Sequence, residues 1–189
     1  PPQDQTPANP EALTPTELRP NGRTSLVRPF LYTMSEAHPY TLLLEWHGDH
    51  TRTYESYTRA HTVHIHGKPP LAATADVPFR GDPALHSPED LLLAALSGCR
   101  LLTYLALCAR ARINVLKYRD HAEGYLQLTK DGGGHFTHAL LRPEVWVEDT
   151  AMLDKATFLH SQVHKYCFIA RSVNFPVRCE PTMHVAQAM

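Results

Sequence analysis

The longest apolar segment of the chain covers residues 91–109 and predicts one long helix. Hydrophobic side chains occur around its whole circumference, so no polar face marks a side that would point to water. Arg100 lies at its centre, where a membrane span would incur about 2.5–3.5 kcal/mol. We therefore expect a helix buried on all sides by protein, and in a chain of this size such a helix usually needs a partner subunit.

The start of this helix is marked by local signals. Ser87 is a favourable N-cap, Pro88 suits the first turn, and Asp90 completes a Ser-x-x-Asp capping box. The helix is predicted over 87–111.

Short apolar or alternating runs predict strands before and after the helix. Pro143 interrupts one of them and predicts a bend or an edge position there. Apolar residues at helical spacing predict a second helix over 150–170. The predicted strands cover 40–46, 61–67, 70–77, 113–129, 135–149 and 172–180. This order contains no regular β-α-β alternation, so the fold class is α+β.

Residues 1–33 differ from the rest of the chain in composition. They are rich in proline and show little apolar periodicity, which is typical of a flexible extension. Residues 34–189 are expected to form a single domain.

Charge and cysteine content limit the kinds of function that we expect of this protein. The net charge is −1 and the pI is about 7.0, which gives no reason to expect a nucleic acid or a membrane surface as partner. Cys99, Cys108, Cys167 and Cys179 are widely spaced and form no Cys-x-x-Cys pair. This pattern favours a cytoplasmic protein with one or two working thiols over a disulfide-stapled secreted domain.

The first candidate chemistry lies on the long helix. Glu89 and Cys99 are ten residues apart, which places them on roughly the same side but about 15 Å apart along the axis. Glu89 is explained equally by interaction with the helix dipole. Cys99 is either an unreactive core thiol or a thiolate that needs a nearby cation, and Arg100 points about 100° away from it.

A second cluster lies on the predicted helix 150–170. His160, His164 and Cys167 fall at i, i+4 and i+7 on one face. Such a face can bind Zn²⁺, with Cys99 as a fourth ligand, or can consist of one thiol and two hydrogen-bonded histidines.

Taken together, two segments resemble the OsmC/Ohr family of osmotically inducible and organic-hydroperoxide-resistance proteins. They are SPEDLLLAALSGCRLLTYLALCARARI and, about seventy residues later, LHSQVHKYCFIARSVNFPV. In that family a glutamate near the start of a long central helix precedes a cysteine by ten residues, as Glu89 precedes Cys99. A second cysteine near the end of the next long helix is matched by Cys167. The likeness covers roughly residues 40–182.

The resemblance implies a thiol peroxidase that needs no cofactor. Cys99 would reduce an organic hydroperoxide and become a sulfenic acid, Cys167 would form a disulfide with it, and an external dithiol would reduce that disulfide. Glu89 and an arginine from the early strands would assist. Arg59 fits the family pattern best, with Arg52 and Arg80 as alternatives. The implied fold has antiparallel sheets around a buried central helix, in an intertwined homodimer with its active sites at the subunit interface.

Some positions depart from the family pattern. Arg100 stands where subgroups often carry His or Phe, and CFIARS replaces the commoner Cys-Pro opening at Cys167. Cys108 and Cys179 are expected to be structural thiols. The alternative function is a non-catalytic protein of the same fold that binds a small hydrophobic ligand, or a metal through the face of His160, His164 and Cys167.

Overall fold

The computed structural model describes residues 37–186. The chain divides into two units, Pro1–Tyr40 and Thr41–Met189. In the first unit, residues 37–40 form no helix or strand, and the predicted extension 1–33 lies outside the described residues. All elements below belong to the second unit.

Within the described part of the chain, helices and strands alternate irregularly, and the predicted α+β class is confirmed. The helices are α1 (Pro88–Arg110), α2 (Leu153–Tyr166) and α3 (Phe168–Ser172). The strands are β1 (Leu43–Glu45), β2 (His61–His64), β3 (Leu71–Ala73), β4 (Val115–Asp120), β5 (Glu123–Leu128), β6 (Gly134–Leu141), β7 (Pro143–Val147), β8 (Val177–Cys179) and β9 (Thr182–Val185).

These strands form three sheets of three strands each. The sheet β1-β2-β3 is antiparallel throughout. The other two, β4-β7-β9 and β5-β6-β8, are mixed, because β9 joins β7 and β8 joins β6 in parallel. The expectation of antiparallel sheets therefore holds for every strand pair except the two that β8 and β9 form.

Two predicted strands are each divided between sheets. The segment 113–129 breaks after Asp120, so that β4 and β5 join different sheets, and β9 was not predicted. The segment 135–149 breaks at Arg142, and Pro143 begins β7, which confirms the bend expected there. A proline has no N–H for the ladder and is therefore tolerated at the first residue of a strand.

The first turn of α1 is stabilised as the sequence predicts. The Ser87 hydroxyl accepts a hydrogen bond from the Asp90 N–H at 3.1 Å, and the Asp90 carboxylate accepts one from the Ser87 N–H at 2.9 Å. This reciprocal pairing satisfies two backbone donors of the helix start.

Helix α1 is buried along one face only. Its buried stripe consists of Leu96, Arg100, Tyr104 and Cys108. The three uncharged residues of this stripe belong to the main hydrophobic core. The opposite stripe carries Ala94, Leu102 and Ala106, all exposed, and Leu102 is 68% exposed. By length and composition alone α1 resembles a membrane span, but its buried stripe packs as the core helix of a soluble domain does. Within one chain, α1 is therefore buried on one side and exposed on the other, and not buried on all sides as expected.

Candidate active site

The structure brings Cys99 and Cys167 together. Cys99 lies near the middle of α1, and Cys167 lies between α2 and α3, both of which pack against α1. The backbone at Cys167 is extended, with φ −79° and ψ 108°, so the predicted helix 150–170 is interrupted there. The two thiols are free and hydrogen-bonded to each other.

The surroundings of Cys99 favour its thiolate. Burial raises the pKa of this thiol, but hydrogen bonds from the Ile169 N–H, the Cys167 thiol, the Phe168 N–H and the Thr103 hydroxyl outweigh burial. The net pKa of Cys99 lies below that of an ordinary cysteine. A half-buried thiolate held by backbone donors is the form of cysteine that acts as a nucleophile.

Cys167 has the opposite tendency. Burial raises the pKa of its thiol, and the charge and hydrogen bond of Cys99 raise it further. The Ala170 N–H and the Arg100 guanidinium act against this rise without cancelling it. The two thiols therefore differ: Cys99 ionises more readily than Cys167, and the Cys167 thiol is the donor in the hydrogen bond between them.

Arg100 follows Cys99 in sequence but points into the core. It is 4% exposed, and its guanidinium is hydrogen-bonded to the Cys179 thiol. The same positive charge acts on Cys167, Tyr118 and His160. This buried cluster was not predicted, because it joins α1, α2, β4 and β8, and no local pattern marks such a meeting. Cys179, expected to be a structural thiol, contacts a cation there.

The histidines of the second cluster do not share a ligand site with Cys167. His160 is buried and stacked on Tyr104 with ring centroids 3.8 Å apart, whereas His164 is exposed. Burial, aided by Arg100, lowers the pKa of His160 to about 4. Among residues 37–186 no group of three or more His, Cys, Asp or Glu side chains is placed to hold a metal ion. The structure therefore gives no support to the metal-binding alternative.

Arg59 lines an aromatic cleft of about 640 Å³ that extends to Pro88 at the start of α1. Its guanidinium lies over the Tyr57 ring at 3.8 Å and over the Tyr54 ring at 4.6 Å, and donates to the backbone carbonyls of both residues. Trp46 packs edge-on against Tyr57 in the same cleft. The Arg59 Nε is buried without a hydrogen-bond partner among the described residues. Arg59 is thus held in place, and its Nε–H remains available to donate a hydrogen bond.

The other predicted polar residues lie apart from the thiols. Glu89 is in the first turn of α1, and its Oε2 is buried with no hydrogen-bond partner in the described part of the chain. Arg52 and Arg80 are exposed, and Arg80 has left-handed backbone (φ 66°) at the end of the short 3₁₀ turn Val77–Phe79. Cys108 is buried in the core and hydrogen-bonded to Tyr104, in keeping with a structural thiol.

Comparison with known protein families assigns this chain to one of them. The model of the family described as OsmC-like protein matches residues 81–182, which is more than half of the chain and includes Cys99 and Cys167. The chain belongs to the OsmC-like family. A search of curated proteins found no match.

Solved OsmC-like structures agree with this assignment. An OsmC-like protein of unknown function from Vibrio cholerae is 30% identical, with a TM-score of 0.68 over 77% of this chain and 99% of that one. An organic hydroperoxide resistance protein from Elizabethkingia anophelis is 15% identical, with a TM-score of 0.57 over 80% of this chain and 100% of that one. Another from Bacillus subtilis is 14% identical, with a TM-score of 0.52 over 77% and 98%. At such identity the last two show the fold alone.

Proposed function

We propose that this OsmC-like protein is a cysteine-based peroxidase that reduces organic hydroperoxides. The observation that carries the proposal is the contact between Cys99, whose pKa is lowered, and Cys167, whose pKa is raised. Two structural neighbours named organic hydroperoxide resistance proteins lend support, since they share the fold.

The proposed reaction cycle needs only the two thiols, the hydroperoxide and one external dithiol as reductant. The Cys99 thiolate attacks the terminal oxygen of ROOH, the O–O bond breaks, and RO⁻ takes a proton to leave as an alcohol. Cys99 is now a sulfenic acid. The Cys167 thiolate attacks its sulfur, the S–S bond forms, and hydroxide leaves and is protonated to water. An external dithiol then reduces the disulfide, regenerating both thiols. Such a cycle suits the reducing cytoplasm.

The active form in this proposal is a homodimer. Glu89 and Cys99 lie about 15 Å apart on one straight helix, so they cannot meet within a chain. In an antiparallel pair of α1 helices whose midpoint lies at Ala94, Glu89 of each copy would come to the same level along the helix axis as Cys99 of the other. Ala94 is exposed, and a side chain added at Gly98, one turn further on, would contact nothing within the chain. This open stripe therefore has room for a second helix.

The aromatic cleft is the proposed substrate site of that dimer. Trp46, Tyr54 and Tyr57 offer an apolar surface to the organic group of a hydroperoxide. The free Nε of Arg59 would donate to the peroxide oxygen as negative charge develops there. Glu89 would hold the guanidinium in position.

The test is a stoichiometric reaction of the reduced protein with cumene hydroperoxide, read by intact mass and thiol count. The wild type should consume one equivalent and form one internal disulfide. Cys99→Ser should consume none, and Cys167→Ser should accumulate a sulfenic acid on Cys99. Cys108→Ala, which removes a buried thiol outside the pair, is the matched control and should behave as the wild type.

If Cys99 remains a thiol through several equivalents, the peroxidase proposal is wrong. The aromatic cleft would then favour the second candidate function, a protein that binds a small hydrophobic ligand without turning it over.

A further inference from the structure

The connection between β1 and β2 is long for a hairpin. It covers residues 46–60, which form neither helix nor strand, whereas hairpin connections usually have about two to five residues. A connection of this length is uncommon in a compact domain unless it has a function. This one carries Arg59 near its end. The contacts that fix its path therefore also fix the arginine of the proposed active site.

Side chains supply several of the hydrogen bonds of this connection. The Arg59 guanidinium donates to the carbonyl groups of Tyr54 and Tyr57. The indole Nε1–H of Trp46 donates to the carbonyl group of Thr58 at 2.7 Å. Trp46 directly follows β1, and Thr58 lies 12 residues further along the chain. The indole hydrogen bond therefore joins the two ends of the connection.

The indole of Trp46 is itself held in place by its neighbours. Its ring packs edge-on against Tyr57, with ring centroids 6.4 Å apart and planes at 80°. The backbone at Gly48 passes so close to the same ring that a side chain added there would overlap it, with the new Cβ 2.6 Å from Cη2. A glycine is needed where the backbone makes such a close approach. The start of the connection is thus shaped around the indole.

We propose that Trp46 is a positioning residue for Arg59, whose indole closes the connection between β1 and β2 and thereby holds the guanidinium at the wall of the aromatic cleft. The inference rests on the proposed peroxidase function and adds to the apolar surface that Trp46 offers the substrate there. The juxtaposition that carries it is the indole hydrogen bond to Thr58, the residue before Arg59, with Gly48 against the same ring.

The path from the indole to the guanidinium is short. Thr58 is bonded to Arg59, and Tyr57 is the ring over which the guanidinium lies at 3.8 Å. Both contacts of Trp46 therefore act on residues next to the arginine. Loss of the indole donor would release the end of the connection and make the position of the guanidinium less defined. A donor fixed in advance is effective because it needs no rearrangement when charge develops on the peroxide.

The first test follows Arg59 itself and needs no peroxide. The exchange of its Nε–H with water is measured by ¹⁵N NMR, and the signal is identified by its loss in Arg59→Gln. Because this nitrogen is buried, we expect its proton to be protected in the wild type. Trp46→Phe keeps an aromatic ring but removes the indole donor, and should make the exchange about tenfold faster, the factor for one lost hydrogen bond. Gly48→Ala should have the same effect by displacing the indole.

Trp146→Phe is the matched control for the loss of an indole. Trp146 is the other tryptophan of the chain and lies in β7, stacked on His184. It does not line the aromatic cleft. The exchange of the Arg59 Nε–H should therefore keep its wild-type rate in this variant.

A kinetic arm examines whether Trp46 acts through Arg59. With dithiothreitol as the dithiol, Trp46→Phe should lower kcat/KM about tenfold for cumene hydroperoxide and equally for tert-butyl hydroperoxide. A residue that formed only the wall of the cleft would affect the smaller tert-butyl group less, because that group buries less apolar surface. In the Arg59→Gln background, Trp46→Phe should cause no further loss, because two residues that act as one unit are not additive.

The outcomes separate this inference from the proposed function. If cumene hydroperoxide leaves Cys99 reduced in the wild type, the peroxidase function fails, and the exchange of the Arg59 Nε–H still decides the role of Trp46. Unchanged exchange in Trp46→Phe or in Gly48→Ala overturns that role, as does an equal acceleration in Trp146→Phe. A further tenfold loss of kcat/KM when Trp46→Phe is added to Arg59→Gln also overturns it. Should Trp46→Phe fail to fold, Gly48→Ala decides alone, since it retains the indole.

Discussion

A matched pair of leucines on α1 tests the assignment of its two faces. Leu96 is 1% exposed within the core, and Leu102 is 68% exposed on the open stripe. Replacing either by alanine removes the same atoms from the same helix, so helix propensity cancels in the comparison. At about 0.8 kcal/mol per methylene, the transfer contribution of a fully buried leucine over alanine is about 2.4 kcal/mol. A residual cavity brings the expected loss for Leu96→Ala to about 3–5 kcal/mol.

The expected loss for Leu102→Ala is much smaller in a single chain. Only about a third of this residue is shielded from water, which scales the transfer contribution to about 0.8 kcal/mol. The assay is urea unfolding followed by circular dichroism. It is run at several protein concentrations, and sedimentation establishes at each of them whether the protein is a monomer or a dimer. If a dimer forms through the open stripe, the loss in free energy of unfolding caused by Leu102→Ala should grow with protein concentration. The reason is that the stability of a dimer depends on the concentration of its subunits. Equal losses for the two variants at monomer concentrations would refute the assignment of faces.

Two further predictions concern titration and the choice of arginine. His160 accepts a proton below pH 6.5 in the unfolded chain but only below about pH 4 in the folded one, so the free energy of unfolding should fall as pH decreases between these values. His160→Phe, which keeps the stacked ring, should weaken this pH dependence in urea titrations, and an unchanged dependence would contradict the buried neutral histidine. Arg59→Gln should lower kcat/KM for cumene hydroperoxide about 100-fold in an initial-rate assay, whereas Arg52→Gln should leave it unchanged. The reverse order would move the assisting role to Arg52.

The long helix could be predicted because its signals are local. The N-cap at Ser87, the capping box with Asp90 and the apolar run all lie within one continuous segment, and the structure places α1 within a residue of the predicted ends at both termini. Such patterns act through neighbours three or four residues apart and do not depend on the rest of the fold.

The strands were harder to predict because their division depends on tertiary pairing. The apolar pattern of 113–129 reads as one strand, yet β4 and β5 pair with different partners on either side of His121. The parallel pairing of β8 and β9 with strands far away in sequence has no local signal either. Pro143 was informative because its missing N–H limits where a strand can continue.

The thiol pair was predicted from the resemblance to a family rather than from residue spacing. Spacing alone left Cys99 ambiguous and placed Cys167 on a regular helix with His160 and His164. The observed contact depends on the extended backbone at Cys167, which ends α2 and lets the N–H groups at the start of α3 point to Cys99. The contact of Arg100 with Cys179 likewise required the fold.

Helix α1 connects these observations, because its consecutive residues 98–100 point into three different environments. Cys99 meets Cys167 and the start of α3, Arg100 turns into the core, and Gly98 opens to the outside. A bulky residue at position 98 would block the proposed second helix. In the proposed dimer the short run Gly-Cys-Arg therefore joins the subunit contact, the nucleophile and a buried cation that is hydrogen-bonded to Cys179.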